Sequence, residues 1–356
     1  MSESQFYFEK VDIPKPFIDT YDRLFFLRNF FQKPNLFADF NTRMESRLAE
    51  AVSPLSDEED FGEIETYEPG ELSAQDIADL YATNIRPIVI RGFAAEHPCV
   101  KLWTPEYFRD NYGDFPLWYS STENLVEEDG TILKDYVDHV LSGDISRAYL
   151  ENLSDIFNTY PELHEQIGLN KIGQQVEGFA TYHKISQLFI GGLGTGAVFH
   201  CANELNCFLN IYGKKQWTFV HPKYSLAMYS SNFNKGIFVG SRVKHNAPKR
   251  FLEANLPLYN RIPKLRITLE PGDLLLNPPW WWHAINNVSP VTIAVATRWK
   301  ILTEYQRQNS LYDFVQSFRE ERLTLEGKKM ADSDVVVPDS ELRKKYVSYE
   351  QMGWKS

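Results

Sequence analysis

A chain of 356 residues with 43% hydrophobic and 14% aromatic content can bury a large core, which excludes a disordered or low-complexity protein. Its formal net charge of -11, with no dense Lys/Arg stripe interleaved with aromatics, argues against a nucleic-acid partner. Apolar stretches are short, MSESQFYFEK lacks a signal-peptide layout, and Cys99, Cys201 and Cys207 have no zinc-type spacing, so a soluble cytoplasmic protein without membrane association is expected.

Residues 1–70 read as an N-terminal extension. They are aromatic at first, then helical over 21–40 with a break at Pro34, then acidic and turn-prone over 56–65. From Ser73, a candidate cap, SAQDIADLYATNI has helical spacing. RPIVIRG (86–92) is a short β-branched strand, and WTPEYFRDNYGD (103–114) is a helix with Pro at its start and Gly near its end. Residues 130–172 are mainly helical around the strand-like AYLEN at 148–152. From 179 to 299, short strands alternate with Gly/Pro turns, the signature of a closed or sandwich-like β structure. Within this stretch 223–263 is a long connection, read as a lid because loops of that length usually cover a site. Beyond Lys300, Leu311, Tyr312, Phe314, Val315 and Phe318 have amphipathic spacing, which predicts a helix packing on the barrel or on a second copy in a homodimer. The domain plan is therefore 1–70, 71–302 and 303–356.

Two strand-like segments, 191–217 and 270–299, each carry one histidine, His200 and His283. Two imidazoles far apart in sequence but on matching strands point to one shared metal. A non-haem Fe(II) site usually adds a carboxylate two residues after the first histidine, since i and i+2 project to one face of a strand. Here that position is Ala202. The other histidines default to structural roles, and Trp280, Trp281 and Trp282 are expected to pack core and rim, with one or two rings toward a cavity mouth.

The run His200, Asn206, Gly213, Lys215, with PGD at 271–273 and WWWHAI at 280–285, resembles the JmjC-type cupin oxygenases, most of all their asparaginyl-hydroxylase branch. The resemblance implies a mainly β fold with flanking helices around a double-stranded β-helix (cupin, jelly-roll) core. It also implies an enzyme using Fe(II), 2-oxoglutarate and O2. His200 and His283 match that family's iron-binding histidines, Lys215 the lysine that pairs with the far carboxylate of 2-oxoglutarate, Tyr149 the tyrosine supporting it, and Asn206 an amide beside the cosubstrate. Two polar positions of the family become Ala197 and Ala296; Arg298, on the face of Ala296, is read as a replacement cation.

Ala202 departs from the pattern and leaves three readings. In the leading one chloride fills the vacated coordination position, as in 2-oxoglutarate-dependent halogenases of related fold, and the reaction is radical halogenation of a small molecule or peptide. In the second, Glu204 or water completes the site of a hydroxylase. In the third, the barrel is a non-catalytic binding module.

Overall fold

The strands with the most continuous apolar sequence become walls buried on both faces, and helices cover only one side of them. The computed structural model describes residues 11, 13–30, 38–55, 61–117, 131–143, 149–234, 238–244 and 247–301. The chain opens with α1 (Lys15–Phe30) and α2 (Ala38–Val52), then two short strands, β1 (Phe61–Glu63) and β2 (Glu65–Tyr67). Helix α3 (Ala74–Asn84) begins where the sequence predicts. Ser73 Oγ accepts from the Asp76 N–H at 3.1 Å while the Asp76 carboxylate accepts from the Ser73 N–H at 2.8 Å, a reciprocal cap. There follow β3 (Ile88–Ile90), α4 (Pro98–Leu102), α5 (Pro105–Tyr112) capped by Thr104, and α6 (Leu133–Leu141). Strand β4 (Leu150–Leu153) precedes α7 (Asp155–Thr159), α8 (Glu162–Gln166) and α9 (Leu169–Val176).

The strand region runs β5 (Ala180–Gly192), β6 (Gly196–Ala202), β7 (Leu205–Tyr212), β8 (Lys215–Val220), a 3-10 turn (Pro222–Met228), β9 (Ser230–Asn234) and β10 (Phe238–Ser241). After α10 (Lys249–Asn255) and α11 (Pro257–Arg261) come β11 (Lys264–Leu269), β12 (Leu274–Asn277), β13 (Trp282–Asn287) and β14 (Val291–Ile301). Among the described residues these form two seven-stranded sheets, ordered β1-β11-β8-β13-β6-β10-β9 and β2-β3-β12-β7-β14-β5-β4, as expected of a jelly-roll core with helices.

Period two sorts the side chains. On β7, Leu205, Cys207, Leu209 and Ile211 join the outer core with Tyr81, Trp103, Phe108, Phe157 and Ile172 of the helical layer. Asn206, Phe208 and Asn210 therefore face the barrel interior, where the Phe208 ring lies 5.7 Å from Phe189 and 4.8 Å from Trp217. Burial of apolar area on both faces supplies most of the stabilisation.

Three expectations meet the structure differently. Residues 223–263 are not a lid alone, because β9 and β10 extend a sheet and Gly240 of β10 is the Cα partner of His200. The short, Gly-containing run FVGS of β10 carries little strand signal, and pairing with β6 decides its conformation. None of the three tryptophans lies open at a rim: Trp280, Trp281 and Trp282 are all at most 3% exposed. The indole N–H of Trp281 donates to the Ile85 carbonyl at 3.1 Å, and that of Trp282 to Ser225 Oγ at 2.9 Å. The expected helix beyond Lys300 lies outside the described residues. No helix among the described residues is long and apolar enough to cross a membrane.

The Pro-Gly-Asp turn between β11 and β12 is a structural staple. Asp273, its side chain 3% exposed, accepts from Arg91 Nη1 at 2.5 Å, the Gly92 N–H at 2.9 Å and the Glu270 N–H at 2.8 Å. Asp273→Ala should strand these donors and lower stability by about 3 kcal/mol, measured as a shift of the denaturant midpoint.

Candidate active site

His200 and His283 are Cα partners on adjacent strands β6 and β13, with ring centroids 4.2 Å apart. His200 Nδ1–H donates to the Val198 carbonyl at 2.8 Å, and His283 Nδ1–H to the Trp281 carbonyl at 2.8 Å. In both, a carbonyl two residues upstream holds the proton on Nδ1 and so places the lone pair on Nε2, the tautomer an imidazole needs as a ligand. Burial pushes His200 down to about 4 and His283 well below the usual imidazole range, the latter further lowered by His200 and Arg298. Both rings are therefore neutral near pH 7. The indole of Trp217 stacks on His283 at 5.3 Å, and Asn277 Nδ2 lies 3.4 Å from its ring nitrogens.

The hairpin carrying His283 is fixed at its base. Trp280 adopts φ 67, a left-handed conformation rare for a bulky residue, and its N–H donates to the Ala202 carbonyl at 2.7 Å. That bond ties Ala202 to the second histidine's strand. Glu204 is ion-paired with Lys184 of β5. Among the described residues no third His, Cys, Asp or Glu joins the two imidazoles in a metal-binding group.

Deeper along the same inner face lies a lysine amine. On the β8–β13 ladder His283 pairs with Phe219 and Asn287 with Lys215, so the imidazole pair and Lys215 are four residues apart. Lys215 is 0% exposed. Its Nζ donates to Tyr149 Oη at 2.9 Å, Asn287 Oδ1 at 2.7 Å and Thr292 Oγ1 at 2.9 Å. All three acceptors are neutral. Burial lowers the amine well below the ordinary lysine range, and Glu151 is the carboxylate that opposes this. Thr292 passes its own proton to the Gly191 carbonyl at 3.2 Å, whereas Tyr149 has no acceptor for its proton among the described residues. Gly191 is needed by space rather than by φ. A Cβ there would meet Tyr149 Cδ2 at 2.5 Å, Asn287 Nδ2 at 2.6 Å and Thr195 Oγ1 at 2.7 Å.

A third row crosses the other sheet, where Asn277, Asn206 and Arg298 are successive Cα partners. Asn206 Oδ1 is buried with no hydrogen-bond partner among the described residues, an acceptor awaiting a ligand. Arg298 Nε donates to Gln187 Oε1 at 3.1 Å. Of the residues read from the sequence, the structure thus gathers His200, His283, Ala202, Tyr149, Lys215, Asn206 and Arg298 on the inner walls, while Glu204 is held by Lys184. Sequence reading missed Asn287, Thr292, Gly191 and Glu151. Asn287 stands four residues after His283 and Glu151 two after Tyr149, so period two was the available signal.

Residues 74–305 match the family described as Cupin-like domain. The chain is similar to human HSPB1-associated protein 1, 27% identical over 114 residues that make up 31% of this chain and 22% of that protein. It is also similar to Arginine-specific demethylase JMJ20 of Arabidopsis thaliana, 20% identical over 273 residues, 67% of this chain and 57% of that protein. Lysine-specific demethylase 8 of Xenopus tropicalis is 24% identical over 228 residues, 60% of this chain and 48% of that protein. The chain spans less than two thirds of the length of these curated relatives.

Gly191→Ala is expected to push Tyr149 away from Lys215 and to cost about 1–3 kcal/mol, read as a lower denaturant midpoint with an unchanged slope.

Proposed function

The chain belongs to the cupin-like domain family, and from that premise we propose that it is an Fe(II)- and 2-oxoglutarate-dependent oxidoreductase acting on a C–H bond. The observation that carries this reading is Lys215, a fully buried amine whose three hydrogen-bond partners are all neutral oxygens, on the inner face it shares with two ligand-ready imidazoles. None of these contacts compensates the charged form, which an anion brought against Nζ would stabilise. Iron with 2-oxoglutarate and O2 supplies the power to remove a hydrogen atom from carbon. The rest is done by this chain's residues.

His200 and His283 would hold the metal through Nε2, their orientation set by the Val198 and Trp281 carbonyls. Lys215 receives the far carboxylate of the cosubstrate as a charge-assisted donor, and Tyr149, whose proton is uncommitted, adds a second donor. Asn206 Oδ1 accepts from a substrate N–H or a bound water. The Trp217 and Phe219 rings, both 0% exposed, keep water from the inner face and strengthen each of these interactions.

The position two residues after His200 decides the outcome of the reaction. Ala202 brings no donor, and Lys184 engages Glu204, which leaves the coordination position to an exogenous ligand. We assign chloride to it and halogenation to the enzyme, because a halide restores both the ligand and the negative charge that the missing carboxylate would supply. Hydroxylation with water in that position is the second reading. Relatives named as arginine- and lysine-specific demethylases favour it, along with a protein side chain as substrate.

Lys215→Ala is expected to weaken 2-oxoglutarate binding by about 3 kcal/mol or more in calorimetric titration, and an unchanged affinity would move the anchor to Arg298. Crystals grown anaerobically with iron, 2-oxoglutarate and bromide test the halide directly. Anomalous scattering should place bromide beside Ala202 in the wild type and not in Ala202→Asp, whose carboxylate excludes it by occupancy and repulsion. Wild-type crystals without bromide there would sink halogenation and leave hydroxylation.

A further inference from the structure

One inward side chain beside the imidazoles is satisfied at neither end. Asn277 closes β12, where Leu274 and Leu276 pack into the outer core, so by period two Leu275 and Asn277 face the barrel interior. Asn277 is 2% exposed, and its Oδ1 is buried without a hydrogen-bond partner among the described residues. Its Nδ2 has only long contacts there, 3.4 Å to each ring nitrogen of His283. One of these nitrogens, Nδ1, carries the proton given to the Trp281 carbonyl and cannot accept another. The other, Nε2, holds the lone pair meant for a metal. Asn277 is not needed to orient His283, whose tautomer the backbone sets, so a buried carboxamide stands beside a ligand-ready imidazole with no partner of its own.

We infer that Asn277 is the third protein ligand of the metal, through Oδ1, in the site as it stands before the cosubstrate binds. This rests on the reading that His200 and His283 share a metal, and on neither outcome of the reaction. A half-turn about the Cβ–Cγ bond exchanges the two ends of the carboxamide and breaks no short hydrogen bond; it brings Oδ1 to the place of Nδ2, 3.4 Å from Nε2 of His283. Two donor atoms each about 2.1 Å from one divalent ion stand ~3.0 Å apart at an octahedral angle and ~3.4 Å apart at a tetrahedral one, so that separation suits neighbouring ligands of a single ion. An amide oxygen is a hard donor that divalent ions accept alongside imidazole. Asn277 comes from the sheet that holds β12 and β7, whereas Ala202 lies on β6 of the other sheet, so the amide approaches the ion from a different wall than Ala202 does. Being neutral, it supplies an oxygen and none of the charge of the absent carboxylate. The demand of the site for an anion therefore remains.

The test titrates Co(II) into the metal-free full chain without 2-oxoglutarate and follows the visible absorption bands of the ion, which report its ligand set. Wild type should bind the ion stoichiometrically. Asn277→Ala should bind it at least ~10-fold more weakly and with altered bands, and Asn277→Asp at least ~10-fold more tightly, because a carboxylate adds the missing charge. Thermal unfolding of the metal-free proteins controls for folding, and Asn277→Leu, of similar volume but without a donor atom, takes the place of the alanine variant should that one fold poorly. Wild-type affinity and bands in whichever of these two variants folds, or an Asn277→Asp no tighter than wild type, overturn the inference and leave the two-imidazole site standing. A wild type that binds no Co(II), or that is equalled by His283→Ala, overturns the metal reading as well.

Discussion

The inner face is organised around the Nζ of Lys215, kept out of water. An isolated charge of this kind would be too costly to bury, and the barrel offsets the cost with an unusual density of neutral acceptors from separate strands and the preceding turn: Tyr149, Asn287 and Thr292. Those acceptors come from β13, β14 and the residue just before β4, so Lys215 is also a cross-link between elements far apart in sequence. The absence of a side chain at Gly191 is part of the same arrangement, since the space a Cβ would occupy belongs to Tyr149, Asn287 and Thr195. A pocket whose direct contacts to Nζ are all neutral dipoles leaves the charge of the protonated amine available to a ligand.

The two imidazoles are positioned by a different means. Their orientation comes from backbone, through carbonyls two residues upstream, and the hairpin behind His283 is anchored by buried indoles and by the Trp280 N–H on Ala202. Backbone-set ligands move only if strands move. β6 is an interior strand, flanked by β13 and β10, so its register is held from both sides. The strained φ of Trp280 fits this picture, as local strain persists where the surroundings over-determine it.

Much of this was legible in the sequence where the signal is local. The Ser73 cap, the strand at Ile88–Ile90 and the helix at Pro105–Tyr112 are written in nearest-neighbour chemistry. His200, Lys215 and Tyr149 could be found because a family pattern supplied their spacing. What could not be read is what depends on long-range register. Asn287 and Thr292 reach Lys215 only through the pairing of β13 with β8 and the return of β14. β10 has a sequence too short and glycine-rich to announce itself, and Glu151 resembles any surface glutamate until β4 is seen on the inner wall. The three tryptophans pack in the core as their bulk suggests, but strand alternation does not send one or two rings to a mouth, because partners at Ile85 and Ser225 hold Trp281 and Trp282 inside.

The clasp between the pre-barrel segment and the His283 hairpin says something about modularity. The family match begins at residue 74, yet β2 pairs in parallel with β3 and β1 with β11, while within the match but ahead of the barrel strands the Tyr81 hydroxyl donates to the Leu276 carbonyl at 3.2 Å and Ile85 receives the Trp281 indole. One border strand of each sheet, β1 and β2, is thus supplied from upstream of the homologous unit. The matched module and the hydrogen-bonded sheets have different boundaries, and the hairpin behind the imidazole on β13 is held by residues from outside the barrel strands that carry the site.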